Sequence, residues 1–292
     1  MPAVGVAGAA GDGTITVADQ ADLERRFGGL KRLYGAVAYE RLRRASVAVV
    51  GLGGVGSWAA EALARSGVAA LVLIDLDHVA ESNINRQVQA LGATLGQAKV
   101  QALHARINDI HPGCVVHGVE AFVEPDNWPA LLPQPVDVLV DACDQVRAKL
   151  ALAAWGLSTG TPVVCVGAAG GKRQPQCVEV AGLDAVTHDP LLASLRQRLR
   201  KLVREQAQGR MLESGHMPER RERHERHEAA ALGGLQCVFS REPVAPPAPD
   251  CDAAGTSDGS LNCHGYGSSV TVTATFGMVA AAQAIASILR GS

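Results

Sequence analysis

At 292 residues, 47% hydrophobic and 19% charged, the chain is long enough for one large or two small domains with a buried core, which excludes a fibrous or wholly disordered protein. Aromatic residues are only 3%, so Ala, Val, Leu and Ile must fill the interior, a mixture suited to helices packed on a buried sheet. A net charge of −2 excludes a uniformly basic nucleic-acid coat and confines any RNA contact to local patches, while seven irregularly spaced cysteines and no charged-then-apolar leader point to the reducing cytoplasm.

Residues 1–20, rich in Gly, Ala and Thr without helical or strand period, read as a flexible tail, and 21–292 as a single domain. Residues 22–45 are helix-compatible and basic, with Arg25, Arg26, Lys31, Arg32, Arg41, Arg43 and Arg44 interrupted by Gly28, Gly29 and Gly35. A short apolar run at 46–50, a helix pattern at 57–65 and a second apolar run at 68–74 form a βαβ unit, which requires a parallel sheet. The alternation continues with a helix at 99–110, strands at 115–119 and 136–142, a helix at 147–157 and a strand at 162–166. The predicted fold is α/β: a Rossmann-like open, mainly parallel sheet with helices on both faces and a C-terminal extension packed on the same domain.

Beyond Gly170 and Gly171 the pattern predicts a strand near 177–180 and a basic helix at 191–204. Arg196, Arg198, Arg200, Lys201 and Arg204, with Arg25, Lys31, Arg41 and Arg43, are candidate RNA phosphate contacts, or else a solvated charged face. Residues 208–230 carry mixed charge with no apolar stripe, and 243–260 are dense in Pro, Gly, Asp and Ala, so both read as mobile excursions. Residues 270–289 hold no charge over a membrane-spanning length. Their Thr271, Thr273, Thr275, Gln283 and Ser287 and their Ala-rich composition predict instead a strand entering a buried helix, without stable membrane insertion.

Gly51, Gly53, Gly54 and Gly56 follow the first predicted strand and open the next helix, where glycines let the backbone approach a phosphate at the positive helix end. Asp75 ends the following strand, 24 residues after Gly51, placed to accept ribose hydroxyls. This indicates an adenine nucleotide rather than a merely tight turn, and on this pattern alone a nicotinamide oxidoreductase leads. Asn83 and Arg86, then Gly96 and Lys99, and the strand-end Asp144 shift the balance. Hydride transfer needs none of these charges, whereas displacement at the α-phosphate of ATP needs several cations and a metal-holding carboxylate.

With GxGGxG, the strand-end aspartate, N-x-x-R, G-x-x-K and Asp144 in place, the sequence resembles the ubiquitin-activating-type adenylating enzymes, which include bacterial activators of sulfur-carrier proteins. The resemblance implies ATP and Mg2+, with Asp75 on the ribose, Arg86 and Lys99 on the phosphates and Asp144 on the magnesium. It also implies a homodimer, across which the family's arginine can be donated. Segments 26–29, 32–35, 55–65, 237–240 and 272–277 are similar to the branch that cyclises threonylcarbamoyladenosine in transfer RNA by dehydration, over roughly residues 22–290. In that branch the expected mechanism runs through an acyl-adenylate. Competing readings are an adenylating enzyme for a sulfur-carrier protein and a nucleotide-binding scaffold beside a cysteine desulfurase and its sulfur acceptor.

The chain departs from the family pattern in two places. No two of its cysteines form the C-x-x-C pairs that hold zinc in sulfur-carrier activators, so no structural zinc is expected. Gly29 stands where many relatives place an arginine, leaving Arg26 or Arg32 as substitutes for an ATP contact. Cys263, beside His264 in a glycine-rich turn, is either a reactive thiol or a small buried one.

Overall fold

Strands buried on both faces explain the continuous apolar runs. A computed structural model describes residues 21–214, 232–246 and 266–291. Helices α1 (Leu23–Tyr34) and α2 (Ala36–Leu42) lead into β1 (Ser46–Val50), α3 (Gly56–Arg65) and β2 (Ala70–Ile74). Then come α4 (Lys99–Ile110), β3 (Val115–Val119), β4 (Val138–Asp141), α5 (Val146–Thr159) and β5 (Val163–Val166). Strand β6 (Val178–Gly182), helix α6 (Pro190–Ser214), strand β7 (Gln236–Ser240) and helix α7 (Val270–Arg290) complete the order.

The seven strands lie in the order β3-β2-β1-β4-β5-β7-β6, with all pairings parallel except β6 against β7. The two-residue period of a strand sorts its side chains between two cores. Val47 and Val49 join α3, α4 and α7 through Leu63, Leu103 and Phe276, while Ala48 and Val50 join α5 and α6 through Leu152, Leu192 and Leu195. Because β1 pairs with β2 on one side and β4 on the other, the chain reverses direction between β1 and β4 and opens a crevice at their C-terminal ends.

The structure corrects the C-terminal expectation. Residues from 270 onward form one helix with no strand, because the Ser269 hydroxyl accepts the Thr271 amide (3.3 Å) and caps its start. Inside it Thr275 donates its hydroxyl to the Thr271 carbonyl (2.7 Å), so the β-branched threonines that suggested a strand are satisfied in helical form. Helix α7 has the length and composition of a membrane span, yet Val272, Phe276, Ala280, Ala284 and Ile288 are packed in the core against α3 and the sheet.

Two further differences concern the second half. Residues 208–214, expected within an excursion, continue α6, while 215–230 and most of 243–260 lie outside the described residues, as does the tail at 1–20. Strand β7, five residues that follow a long charged stretch and are not among the predicted strands, sits inside the sheet between β5 and β6.

The N-terminal arginines tie helix ends together. Arg26 donates to the carbonyls of Asp109 and Ile110 (2.8 and 2.7 Å), and Arg41 to that of Leu289 (3.0 Å), satisfying groups that a helix C-terminus leaves open. Arg43 donates to the Gly67 carbonyl and to His111 Nε2 (2.9 Å), with its guanidinium 5.1 Å from the Phe27 ring. Arg43 is therefore engaged internally, whereas Arg41 stays exposed beside the end of α7. Burial, then Arg43 and Arg26, hold the His111 imidazole down to about 4. Between that value and the ordinary 6.5 the unfolded chain binds a proton that the folded chain refuses, so stability falls as pH drops. Urea unfolding at pH 7 and pH 5 should show a loss about 2 kcal/mol larger in the wild type than in His111→Gln; equal losses would remove His111 from the pH response.

Candidate active site

The crevice at the ends of β1 and β4 is a cavity of about 570 Å³. Its floor is the turn after β1. Gly51 takes φ +84°, and a Cβ there would stand 2.9 Å from the Ala142 backbone. At Gly56 a Cβ would overlap the Gly51 carbonyl, so only glycine lets α3 start this close to the strand. Gly51, Gly53 and Gly54 line the cavity, whereas Gly56 lies behind it and closes the turn.

Asp75, at the end of β2, is 8% exposed. Its Oδ2 accepts the Leu52 amide (2.6 Å) and its Oδ1 the Asp77 amide (2.8 Å), which locks the carboxylate to the glycine turn. Burial pushes its pKa up, while Lys99 and the two amides pull it back. Lys99 is the first residue of α4, where the helix dipole disfavours a cation. Its Nζ lies 2.7 Å from Asp77 Oδ2 and 3.8 Å from Asp75 Oδ1, and these acids compensate the placement.

Arg86 follows a short 3₁₀ turn, Glu81–Asn83, that Asn83 ties by accepting the Ala80 amide on its Oδ1 (3.0 Å). Its Nη1 donates to the Ser82 carbonyl (2.7 Å) and Asn85 Oδ1 (2.9 Å), and Trp58 Nε1 fixes its backbone through the Arg86 carbonyl (2.9 Å). Its buried Nε has no hydrogen-bond partner. Asn83, Arg86 and Lys99 all line the same cavity as Asp75 and the glycines.

Asp144 is exposed on the turn after β4 and also lines the cavity. Beneath it Asp141 and Lys149 form an ion pair at 3.0 Å with both side chains 0% exposed. Asp141 Oδ1 also accepts the Cys143 amide (3.2 Å) and thiol (2.8 Å), so this pair sets the start of the turn that carries Asp144. Burial presses Lys149 toward neutrality, yet Asp141, Cys143 and Cys165 together outweigh it and raise the lysine above its ordinary value. The Cys143 thiol is pushed well above its usual range by burial and then by Asp141, which makes it a poor nucleophile despite facing the cavity.

Among the described residues no three His, Cys, Asp or Glu side chains gather as a metal cage. A lone carboxylate such as Asp144 fits Mg2+, which is commonly held by one or two carboxylates together with nucleotide phosphates. Arg26 is engaged at the opposite end of α4, and Arg32, like Gly29, lies on the exposed side of α1, so none of the three lines the cavity. Cys263 is outside the described residues. Phe122 and Thr273, which carry no local sequence signal for a role in the site, also line the cavity. The glycines at 170–171 marked the wall formed by 167–170, but nothing local marked Thr273, which is delivered from the far end of the chain.

Residues 23–291 match the ThiF family, and the chain belongs to it. It is 39% identical over 269 residues to the tRNA threonylcarbamoyladenosine dehydratase of Escherichia coli K12, covering 89% of this chain and 92% of that one. It is 36% identical over 280 residues to the protein of the same name in Haemophilus influenzae, covering 94% and 98%. The crystal structure of the Escherichia coli tRNA N6-threonylcarbamoyladenosine dehydratase in complex with ATP superposes with a TM-score of 0.73 at 36% identity, over 95% of this chain and 97% of that one.

The buried pair yields a stability prediction. Lys149→Met strands the Asp141 charge and should cost about 3–5 kcal/mol in urea unfolding, most of it recovered in Lys149→Met/Asp141→Asn. A loss under about 1 kcal/mol in the single variant would show that the pair is not needed.

Proposed function

We propose that this chain is an ATP-dependent dehydratase that cyclises threonylcarbamoyladenosine in transfer RNA through an acyl-adenylate. The observation that carries the reading is the convergence of a phosphate-accepting glycine turn, Asp75, Arg86, Lys99 and Asp144 on one cavity, in a chain similar over nine-tenths of its length to dehydratases of that substrate. Asp75 holds the ribose, because its carboxylate is already fixed beside the glycine turn and keeps lone pairs for two hydroxyls. The triphosphate lies over residues 51–54, with Arg86 and Lys99 as its flanking cations.

In the reaction the threonyl carboxylate attacks the α-phosphorus and pyrophosphate leaves. The tethered carbamoyl group then attacks the activated carbonyl carbon, and AMP departs with one oxygen of the former carboxylate. The elements of water are thus removed at the expense of ATP. Because the attacking group is already attached to the acyl group, ring closure gains the effective concentration of an intramolecular reaction and needs no enzyme thioester. Arg86 and Lys99 oppose charge that grows on the phosphate oxygens in the transition state, where one such donor contributes about 3 kcal/mol. Asp144 is the residue that would hold Mg2+, which adds positive charge at the phosphates.

Arg198 and Lys201 on the exposed side of α6, with Arg25 and Lys31, suit contact with RNA phosphates, whereas Arg196 is turned inward to the carbonyls of Leu183 and Val186. The apolar corner of α1 and α2, with Leu33 69% and Val37 72% exposed, supports a homodimer. Free thiols at Cys114, Cys143, Cys165, Cys177 and Cys237 suit a cytoplasmic setting. With RNA carrying threonylcarbamoyladenosine, Lys99→Ala should lower AMP formation by at least about 100-fold. Undiminished AMP release would take this lysine out of the mechanism.

A further inference from the structure

The cavity has two ends. Asp75 and residues 121–123, beside β2 and β3, mark the nucleoside end, and residues 167–170 with Leu191, beside β5 and the start of α6, form the opposite wall. With the ribose at Asp75 and the triphosphate over residues 51–54, as proposed above, that second wall lies on the side of the cavity away from the nucleoside.

A buried polar knot stands directly behind this wall, and none of its charged members lines the cavity. Lys172, 2% exposed, donates from Nζ to the backbone carbonyls of Glu242 (2.7 Å), Ser240 (3.0 Å) and His188 (3.5 Å). Asp189, 3% exposed, accepts the Ala168 amide on Oδ2 (2.9 Å) and the Leu192 amide on Oδ1 (2.9 Å), so one carboxylate caps α6 and anchors the wall. A Cβ at Gly167 would overlap Asp189 Oδ2, which is why the chain is glycine there. The Glu242 carboxylate accepts the amides of Arg173 (3.0 Å) and Gln174 (2.9 Å), closing the loop that leaves the wall. His188 takes φ 59°, a left-handed conformation costly for a residue with a side chain, and the Lys172 ammonium bonds its carbonyl.

Burial lowers the Lys172 pKa, and Asp189 and Glu242 draw it back up. An ammonium this enclosed is costly unless its bonds are needed, and here they join the end of β7, the turn before α6 and the loop after β5. No bond in the nucleoside half depends on it.

We propose that Lys172 is a positioning residue for the acceptor substrate: through three backbone carbonyls it holds residues 167–170 and Leu191 as the wall against which the threonylcarbamoyl carboxylate is aligned with the α-phosphorus. The inference rests on the dehydratase reading above and adds to it which half of the cavity receives the RNA-borne group.

Lys172→Met in the full chain should raise KM for threonylcarbamoyl-modified RNA by about tenfold and lower kcat, while the dissociation constant for ATP, measured by titration calorimetry, stays within about twofold. A purely structural role would weaken both ligands together. Equal losses for RNA and ATP, or no loss for either, overturn the proposal. If Lys172→Met does not fold, Glu242→Gln keeps the ammonium and loosens the grip on the two loop amides. It should give the same split at smaller size, and its absence overturns the proposal equally. A wild-type protein that forms no AMP with this RNA overturns the dehydratase reading and the inference with it. A competent wild type whose variants show no split overturns the inference alone.

Discussion

Two buried cations facing one cavity are the constraint on which the rest depends. Arg86 is 9% exposed and Lys99 5%, and removing such charges from water is costly unless each finds partners. Lys99 finds Asp77 and Asp75, while Arg86 finds the Ser82 carbonyl and Asn85 but keeps a buried Nε without a partner. The proposed placement of a triphosphate over the glycine turn would set a polyanion beside both cations, and Asp75 and Asp77 pair Lys99 without it.

The fold supplies the rigidity that such charges require. Asp75 is tied to Leu52 across the β1 and β2 ends, Asp141 is locked to Lys149 beneath the Asp144 turn, and Asp189 joins the far wall to α6. Each is a buried carboxylate that takes backbone amides, and each stands at the C-terminal end of a strand or the start of a helix. A sheet whose parallel strands end on this side can hold them close together although Asp75 and Asp189 lie far apart in sequence.

Much of this was legible from local sequence. The runs at 46–50 and 68–74 with the glycine turn between them fixed the first βαβ unit, because periodicity and turn chemistry there act over a few residues. Helix α4 was readable to its last residue, and so were the site positions Asp75, Arg86, Lys99 and Asp144 as candidates. The rest depended on distant partners. Nothing near Lys149 or Lys172 shows that an ammonium will be buried against Asp141 or the end of β7. Arg26 and Arg43 look like phosphate contacts until the carbonyls of α4 and Gly67 are brought beside them. The alternating Thr and Val at the start of α7 mimic a strand because the Ser269 cap and the i−4 hydroxyl bonds decide the matter only in three dimensions.

Activation of a carboxylate at the α-phosphorus is the claim that joins these features, and isotope transfer tests it most directly. Threonylcarbamoyl-modified RNA labelled with ¹⁸O in both carboxylate oxygens would be turned over with unlabelled ATP, and the nucleotide product weighed by mass spectrometry. AMP carrying one ¹⁸O, left behind when the ring closes, is the expected product. Label in inorganic phosphate, or cyclised RNA formed beside wholly unlabelled AMP, would contradict the claim.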